Sequence, residues 1–332
     1  MSIKIIGFIL LIFSFLGAWA WLDFQTAMHE SVVTDTVYVE IEQGDSLTRI
    51  TEKLLEQGLP VRPIWFTVIA YTTESAKKLK TGEYELAPGS SRPDVLGLFV
   101  QGKTRQYAIT FPEGWSFKDI LAEMQKYPQI EHTLNAIGPN GLLAELNTDT
   151  KHPEGLFFPD TYFFEKHTRD VAILKRAYDK MQQVLQQEWQ NKADNLPFQN
   201  PYQALIMASI VEKETAAVGE RPLIAGVFIR RLEKDMPLQT DPTVIYGMGE
   251  QYQGNIGFKD LKTQTPYNTY IIKGLPPTPI AMPGLGAIQA ALHPDNSDSL
   301  YFVARGDGTH VFSSTLKAHN RAVNSFQRKR HD

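Results

Sequence analysis

Hydrophobic and polar residues follow three different patterns along this chain. The first is an uncharged apolar run at residues 5–22, IIGFILLIFSFLGAWAWL. Short alternating stretches come next, TVYVEI, GEYELA and RQYAITF, and alternation with a period of two is typical of strands. Farther along, apolar residues recur every three or four positions in DVAILKRAYDKMQQVLQQEW and RPLIAGVFIRRLEK, which predicts helices. We therefore expect an α+β fold preceded by one apolar helix.

The apolar run is predicted to be a single transmembrane helix. It is 18 residues long, close to the roughly 20 that span the hydrocarbon layer of a membrane. Lys4 precedes it and the next lysine or arginine is Arg49, so the positive-inside rule leaves the N-terminus in the cytoplasm. We expect a single-pass protein of the inner (cytoplasmic) membrane, with everything after the helix in the periplasm. A cleaved signal peptide is the alternative, because residues 18–20 read Ala-Trp-Ala.

A short pattern occurs three times between residues 43 and 120. The segments QGDSLTRI, PGSSRPDV and EGWSFKDI all read Gly-x-Ser-x-x-x-(Ile/Val), and each follows an alternating stretch. Each copy predicts a strand that ends in a glycine turn, a serine that caps a helix, and a branched residue that anchors the helix. The residues are Gly44, Gly89 and Gly114, Ser46, Ser91 and Ser116, and Ile50, Val95 and Ile120. Chance recurrence of common turn and cap residues is the alternative.

The first copy also resembles a known module. VYVEIEQGDSLTRITEKL is similar to the LysM glycan-binding module, and the resemblance implies a two-stranded sheet with helices that could lie against a sugar chain. Near the C-terminus, SLYFVARGDGTHVF predicts a β-hairpin with a Gly-Asp-Gly turn, followed by a last basic helix. We predict a cytoplasmic N-terminus and transmembrane anchor at residues 1–22, a LysM-like α/β module at residues 23–130, and a mainly helical domain with this hairpin at residues 131–332.

Composition excludes several kinds of chemistry. A formal net charge of −4 argues against nucleic acid as a partner. The chain contains no cysteine, which excludes disulfides, thiolate metal sites and a cysteine nucleophile. Its 8 histidines are scattered, without the spacing of a ligand set, so neither a metal nor another cofactor is predicted. His293 and His310 are assigned to a loop and to the hairpin rather than to catalysis.

Two carboxylates, Glu212 and Glu214, interrupt an apolar run in YQALIMASIVEKET. In a helix, Glu214 lies one turn beyond Ile210 on the densest apolar arc, whereas Glu212 is turned toward the edge or the solvent. A carboxyl group among apolar side chains has a raised pKa and can serve as a general acid. An ordinary salt bridge to Arg230 or Arg231 is the alternative. Glu212 is expected to tolerate replacement by glutamine.

Polar and aromatic residues are concentrated in proline-rich loops within residues 236–283. Long loops of this kind usually line a site or a lid, and amides, hydroxyls and tyrosine rings can hold a sugar. The predicted substrate-binding residues are Gln239, Thr240, Asp241, Tyr246, Tyr267, Asn268, Thr269 and Tyr270. We expect Asn268 to face solvent, so that its replacement by alanine leaves the melting temperature nearly unchanged.

Five motifs together resemble one enzyme family. They are ASIVEKET, LQTDPTVIYG, YNTY, GLPPTPIAMPG and EGLFFPDTY, and they are spread over most of the chain. On these motifs the chain resembles the YceG-like endolytic murein transglycosylases, the MltG family. The resemblance implies cleavage, without water, of the β-1,4 bond between N-acetylmuramic acid and N-acetylglucosamine inside peptidoglycan strands, leaving 1,6-anhydro ends. It also implies one catalytic glutamate that acts as acid and base, Glu214 before Thr215.

The same resemblance implies a biological setting in cell wall biogenesis and glycan strand termination. The implied partners are peptidoglycan glycan strands, the membrane through the N-terminal helix, and the peptidoglycan synthases. Within EGLFFPDTY, Glu154 is assigned to substrate binding, with a structural role as the alternative. Asp160 and Asp241 are the other carboxylates near a motif, and turn-capping roles are favoured for both.

Two other functions remain open from the sequence. A two-carboxylate hydrolase could pair Glu214 with Asp241, and it would leave reducing ends because water attacks the sugar. A membrane-tethered scaffold could bind glycan strands without cutting them. Analysis of the products separates these possibilities, since a hydrolase adds one water per cut and a scaffold leaves strand lengths unchanged.

Overall fold

The computed structural model describes residues 3–328 and divides into two compact units. The first comprises Met1–Tyr107 and Phe163–His167, and the second comprises Ala108–Tyr162 and Thr168–Asp332. Helices and short strands alternate in both, so the predicted α+β class is confirmed. Residues 108–130, which the sequence assigned to the first module, belong to the second unit by their contacts.

Helix α1 (Ile3–His29) is long and apolar enough to cross a membrane. The stretch Lys4–His29 has a window of mean hydropathy 2.3 and none of that window is buried. The helix continues past the predicted end at residue 22 because its last turns are bonded to the first unit. Asp23 accepts hydrogen bonds from Arg62 and from the indole of Trp65, both at 2.7 Å.

The first unit is built around a two-stranded antiparallel sheet, in which Val39 is opposite Tyr84. Phe66, Ile69 and Phe99 are buried with these strands in one core. Its elements after α1 are β1 (Val37–Ile41), α2 (Leu47–Glu56), α3 (Pro63–Thr72), β2 (Gly82–Leu86) and α4 (Arg92–Gln101). Two helices therefore connect the two paired strands.

The three copies of the glycine-serine pattern form the predicted local structure. Each begins after a strand, and the third is followed by α5 (Phe117–Met124). Ser46, Ser91 and Ser116 accept hydrogen bonds from the third residue of their helices. The glycines have positive φ, 94°, 89° and 75° in order, a conformation that favours glycine. Ile50, Val95 and Ile120 are at most 1% exposed. The prediction of a turn, a cap and an anchor is confirmed in all three copies.

The second unit is mainly helical. The remaining elements of the described chain are β3 (Tyr107–Thr110), β4 (Ile130–Glu131), α6 (Leu134–Glu145), β5 (Thr161–Phe164), β6 (Thr168–Arg169), α7 (Asp170–Gln190), α8 (Pro201–Glu214), α9 (Arg221–Glu233), α10 (Asp241–Met248), α11 (Leu285–Leu292), β7 (Tyr301–Ala304), β8 (His310–Ser313) and α12 (Leu316–Val323). Strand β3 pairs with β5, β4 with β6, and β7 with β8. Helix α10 lies where the sequence predicted only loops, and its proline is in the first turn, where proline is well tolerated.

Helix α8 is the centre of the second unit. It packs against α7, α9, α10 and α11, and every residue from Ala204 to Val211 is buried. The predicted division into an apolar arc and a solvent-facing arc is therefore wrong, because Leu205 and Ser209 on the opposite side are buried as well. A helix surrounded by other helices has no solvent face. The position of a residue around α8 therefore does not show which of Glu214 and Glu212 faces the interior.

One buried cation is expected to be decisive for the stability of the first unit. Arg92 is 0% exposed and donates to the carbonyl oxygens of Ala27, Pro60 and Val61 at 2.9, 2.8 and 2.7 Å. Replacing it by methionine leaves three carbonyls without this donor. We expect Arg92→Met to lower the free energy of unfolding by about 3 kcal/mol or more, measured by chemical denaturation.

Arg49→Met is the matched control. Arg49 pairs with Glu52 and Glu56 on the surface, where its side chain is 45% exposed, and such pairs contribute about 0–1 kcal/mol each. Equal losses in the two variants would show that the buried carbonyls do not depend on Arg92.

Candidate active site

Glu214 is the last residue of α8, at the point where the helix ends. Thr215 has extended backbone angles, φ −146° and ψ 135°, so the helix does not continue. The partly buried Glu214 side chain accepts a hydrogen bond at Oε1 from the hydroxyl of Thr240. Helix termination thus places one carboxyl group where the packed helices give way to a cavity.

The environment of Glu214 favours its protonated form. Burial is the main cause and raises the pKa of Glu214 to about 7. The hydrogen bond from Thr240 opposes this effect, the negative charge of Asp241 adds to it, and a positive charge on His310, present only when that ring is protonated, opposes it. At neutral pH the residue can therefore be present as a carboxylic acid, the form that a general acid needs.

The cavity beside Glu214 has a volume of about 510 Å³. Its walls come from α8, α9, the loops around 239 and 270, the β7–β8 strands and α12. The lining residues are Glu214, Arg231, Leu238, Gln239, Asp241, Tyr270, Tyr301, Phe302, Val303, Ala304, His310, Leu316, His319, Asn320, Val323 and Gln327. Of the predicted substrate-binding residues, Gln239, Asp241 and Tyr270 are in this wall. Tyr270 donates a hydrogen bond to Asp241 at 2.7 Å.

Buried threonines hold the loop that carries these residues. The backbone N–H of Thr240 donates to the hydroxyl oxygen of Thr269 at 3.1 Å, and that hydroxyl lies 2.8 Å from the hydroxyl of Thr243. The N–H of Gln239 donates to the carbonyl of Thr269 at 3.1 Å. Thr240 and Thr269 are 1% and 0% exposed. Thr240 therefore orients Glu214, and Thr269 supports Thr240.

Glu154, Tyr246 and Tyr267 form a second cluster that does not line this cavity. Glu154 is 3% exposed, and its two oxygens accept from the N–H of Phe117 at 2.9 Å and the hydroxyl of Tyr246 at 3.0 Å. Burial raises the pKa of Glu154 to about 7. The rings of Tyr246 and Tyr267 meet edge to face, 4.8 Å apart. With its oxygens bound to the protein, Glu154 has the surroundings of a structural residue.

The expectation that Asn268 faces solvent is wrong. Asn268 is 1% exposed, and its amide nitrogen donates to the carbonyls of Asp260, Leu261 and Thr263 at 3.1, 3.2 and 2.8 Å. Its side-chain oxygen accepts from the N–H of Tyr270 at 3.0 Å. The side chain thus connects two parts of the loop, which a motif in the sequence does not reveal.

The expectation that Glu212 lies at an edge or in solvent is also wrong. Its side chain is 6% exposed and lies 2.9 Å from Arg221, and it also accepts from the N–H of Gly284 at 3.0 Å. Burial raises the pKa of Glu212, while the Gly284 amide and Arg221 oppose that effect. The structural ion pair considered for Glu214 exists, but it belongs to Glu212 and uses a different arginine. Arg230 and Arg231 donate to backbone carbonyls instead.

A second carboxylate is present in the cavity wall. It is Asp241, whereas Asp160 pairs with Lys180 and is not among the lining residues. Within residues 3–328 no three histidine, aspartate or glutamate side chains are grouped in a way that could hold a metal ion.

Several residues of the site were missed from the sequence. Tyr301 lines the cavity, and so does Arg231, which the sequence suggested only as an ion-pair partner of Glu214. His310, assigned to the hairpin, lines it as well, and its ring nitrogen Nδ1 is 2.7 Å from Glu220. A histidine inside a strand can be assigned to a site only when its tertiary neighbours are known. His319 stacks on Tyr301 with ring centroids 5.3 Å apart.

Three comparisons with known proteins agree. A family model described as the YceG-like family matches residues 39–325. An endolytic murein transglycosylase of Bacillus subtilis is 32% identical over 314 residues, which are 88% of this chain and 85% of the relative. An endolytic murein transglycosylase of Streptococcus pneumoniae is 30% identical over 325 residues, covering 86% of this chain but only 58% of the relative. The crystal structure of a yceG-like protein from Listeria monocytogenes aligns with a TM-score of 0.55 and 31% identity, covering 87% of this chain and 99% of that one.

Asn268→Ala is expected to destabilise the second unit. The change removes the donor to three carbonyls and the acceptor of one N–H. Unsatisfied buried groups cost about 1–3 kcal/mol each, so a loss of roughly 2–4 kcal/mol is expected in chemical denaturation. Gln264→Ala, an exposed amide in the same loop, is the control and should change stability by less than about 0.5 kcal/mol. An unchanged midpoint for Asn268→Ala would mean that the loop keeps its structure without this amide.

Proposed function

Because the chain belongs to the YceG-like family, we propose that it is an endolytic murein transglycosylase whose general acid is Glu214. Its relatives from Bacillus subtilis and Streptococcus pneumoniae bear that activity in their names. The observation that supports the role of Glu214 is a carboxyl group with a pKa raised to about 7 at the wall of a cavity. No other glutamate lines this cavity among residues 3–328.

The reaction breaks the β-1,4 bond between N-acetylmuramic acid and N-acetylglucosamine inside a peptidoglycan strand. Glu214 donates its proton to the oxygen of the leaving sugar while the muramic 6-hydroxyl closes on the anomeric carbon. A 1,6-anhydro end results and no water is consumed. In the simplest scheme the Glu214 carboxylate then accepts the proton of the 6-hydroxyl.

Gln239, Asp241 and Tyr270 are the proposed substrate-binding residues, and their position in the cavity wall supports this role. Amide, carboxylate and phenol groups at the cavity wall can bind the hydroxyl and acetamido groups of a sugar. Thr240 orients the acid through its hydroxyl. Tyr246, Tyr267, Asn268, Thr269 and Glu154 contribute by holding the loops that carry the wall.

Helix α1 is proposed to anchor the protein in the inner membrane with the N-terminus in the cytoplasm. The basic Lys4 before the apolar stretch supports this orientation. The rest of the chain then lies in the periplasm beside the cell wall, where strand cleavage serves cell wall biogenesis and glycan strand termination. Peptidoglycan synthases are the proposed protein partners, because they produce the strands that the enzyme cuts.

We also propose that the first module is LysM-like. Its support is the order strand, helix, helix, strand from β1 to β2, with the two strands paired antiparallel. The proposed bounds are residues 23–130 for the module and 131–332 for the catalytic domain, although residues 108–130 make their contacts within the second unit.

A hydrolase that uses Asp241 as its second carboxylate is the competing function, because Asp241 lines the same cavity as Glu214. Mass spectrometry of strands digested by the full-length chain in detergent distinguishes the two. Anhydro ends support the transglycosylase, and reducing ends, heavier by one water, support the hydrolase. Full-length protein is needed because Ala27 near the end of α1 is 0% exposed within the first unit.

Glu214→Gln and Glu212→Gln are expected to have opposite effects. Glutamine at 214 keeps a hydrogen-bonding side chain but delivers no proton, so cleavage should fall by about 10²–10⁴ while stability stays the same or rises slightly. Glutamine at 212 removes the charge of the buried partner of Arg221 but keeps a hydrogen-bonding side chain, so the free energy of unfolding should fall by about 1–3 kcal/mol. The Glu212→Gln variant should keep its cleavage activity per folded molecule.

Muropeptide analysis and chemical denaturation of both variants measure these effects. If Glu214→Gln cleaves strands while Glu212→Gln is folded but inactive, the general acid is Glu212 and not Glu214.

The rate of cleavage should fall as pH rises through the pKa of Glu214. The acid works only when protonated, and its pKa is raised to about 7, so the rate falls roughly tenfold per pH unit well above that value. Thr240→Val removes a hydrogen bond that lowers the pKa of Glu214, so this variant should shift the falling limb to higher pH, by about 0.5–1 unit. Initial rates on purified sacculi across the pH range measure the falling limb in the wild type and in Thr240→Val. A shift to lower pH would contradict the assigned role of the Thr240 hydroxyl.

A further inference from the structure

His310 and Glu220 form a bonded pair at the wall of the Glu214 cavity. His310 begins β8, and Glu220 ends the short 3₁₀ helix Val218–Glu220. Nδ1 of His310 lies 2.7 Å from Oε2 of Glu220, and the backbone N–H of His310 donates to Oε1 at 2.9 Å. The side chains are 12% and 16% exposed. The bond to Nδ1 orients the imidazole, and the bond from the backbone N–H holds the Glu220 carboxylate beside it.

The nitrogen of this imidazole that is left for a ligand is Nε2. An ionised carboxylate only accepts hydrogen bonds, so Glu220 holds the neutral ring in the tautomer with its proton on Nδ1. Nε2 then carries a lone pair, and within residues 3–328 it has no hydrogen-bond partner. His310 lines the same cavity as Glu214. A carboxylate that orients an imidazole beside a substrate hydroxyl is a common device for activating that hydroxyl.

Aromatic neighbours hold the His310 ring in place, and the cavity wall around it contains both acidic and basic side chains. The rings of His310 and Phe302 meet edge to face, with centroids 5.4 Å apart, and the ring of Phe312 on the same hairpin is 6.4 Å away. The titratable and charged groups that line the cavity with it are Glu214 of α8, Arg231 of α9, Asp241 of α10, Tyr270 of the following loop, Tyr301 of β7 and His319 of α12.

We propose that His310, oriented by Glu220, is the general base that takes the proton from the attacking muramic 6-hydroxyl, while Glu214 remains the general acid. The inference rests on the proposed function, because that hydroxyl is the nucleophile only in a transglycosylase. Two residues then share the proton transfers that the simplest scheme gives to Glu214 alone.

The step is balanced without any further reactant. The 6-oxygen forms a bond to the anomeric carbon as the bond from that carbon to the leaving oxygen breaks. The proton of the 6-hydroxyl goes to Nε2 of His310, and the proton of Glu214 goes to the leaving oxygen. After product release, one proton passes from His310 to Glu214, directly or through solvent, and the starting state is restored.

A separate base changes the timing of the reaction. One carboxylate cannot accept a proton before it has donated its own, so a single glutamate requires bond cleavage to precede attack. The oxocarbenium-like sugar would then have to persist until the carboxylate activates the hydroxyl. With His310 as the base, attack and departure can occur together, and the charge on the sugar stays smaller.

The pH profile of the full-length wild type is the first test. A base needs a free lone pair, so protonation of Nε2 at acidic pH should lower the rate. The acid works when it is protonated, so the rate should fall through the pKa of Glu214. A bell-shaped profile of kcat is therefore expected, with limbs that belong to the interacting pair. A rate that stays level on the acidic side would contradict the proposal.

His310→Gln is the second test. Glutamine can still bond to Glu220 but cannot accept a proton near neutral pH, so kcat should fall by about 10²–10⁴ and the acidic limb should disappear. The remaining products should still carry anhydro ends. His293→Gln, an exposed histidine at the end of α11, is the matched control and should retain wild-type kcat and both limbs.

Glu220→Asp and Glu220→Ala test the positioning residue. Aspartate keeps a carboxylate and should retain more of the rate than alanine, and both variants should keep the substrate KM. If His310→Gln keeps kcat within about threefold, far less than a lost general base costs, with its acidic limb in place, Glu214 is both acid and base. If His310→Gln does not fold, the wild-type profile and the two Glu220 variants decide. If the wild type produces no anhydro ends, the proposed function fails, whatever the histidine variants do.

Discussion

The burial of α8 on every side is the constraint on which the active site depends. Residues Ala204 to Val211 are all enclosed by neighbouring helices, so the helix can meet open space only near its end. Both carboxylates of SIVEKET lie in that last turn. Glu212 receives a cation and a backbone amide, whereas Glu214 receives one hydroxyl beside a cavity. Two glutamates two residues apart are thereby given different chemistry by their surroundings.

The residues of the loop motifs also fall into two groups, those that line the cavity and those that hold the cavity-lining residues in place. Gln239, Asp241 and Tyr270 line the cavity, while Asn268 and Thr269 are buried between them and bonded to their backbone. A polar residue in a loop can therefore serve the site by holding its neighbours in position through hydrogen bonds as well as by contacting a ligand.

Local features of the sequence predicted local structure well. The three serine caps and glycine turns depend on atoms only a few residues apart, and all three formed. The apolar period of α7 also gave its buried side, including Leu174, Ala177 and Met181. The environment of Glu212 depends on partners 9 and 72 residues away along the chain. The environment of Asn268 depends on how its own loop folds back on the side chain. The bond between Glu220 and His310 spans 90 residues. No pattern within a short window carries that information.

The continuity of α1 with the first unit has a mechanical consequence. No flexible linker separates the apolar stretch from Asp23 and Ala27, which are bonded to Arg62 and Arg92. At 1.5 Å per residue the 18-residue apolar stretch is about 27 Å long, close to the roughly 30 Å of the hydrocarbon layer. The tilt of such a helix is set by its packing and its interfacial side chains. If α1 spans the membrane as proposed, any tilt of the helix is transmitted to the first unit as by a rigid lever, and it sets the angle at which that unit stands above the lipid surface.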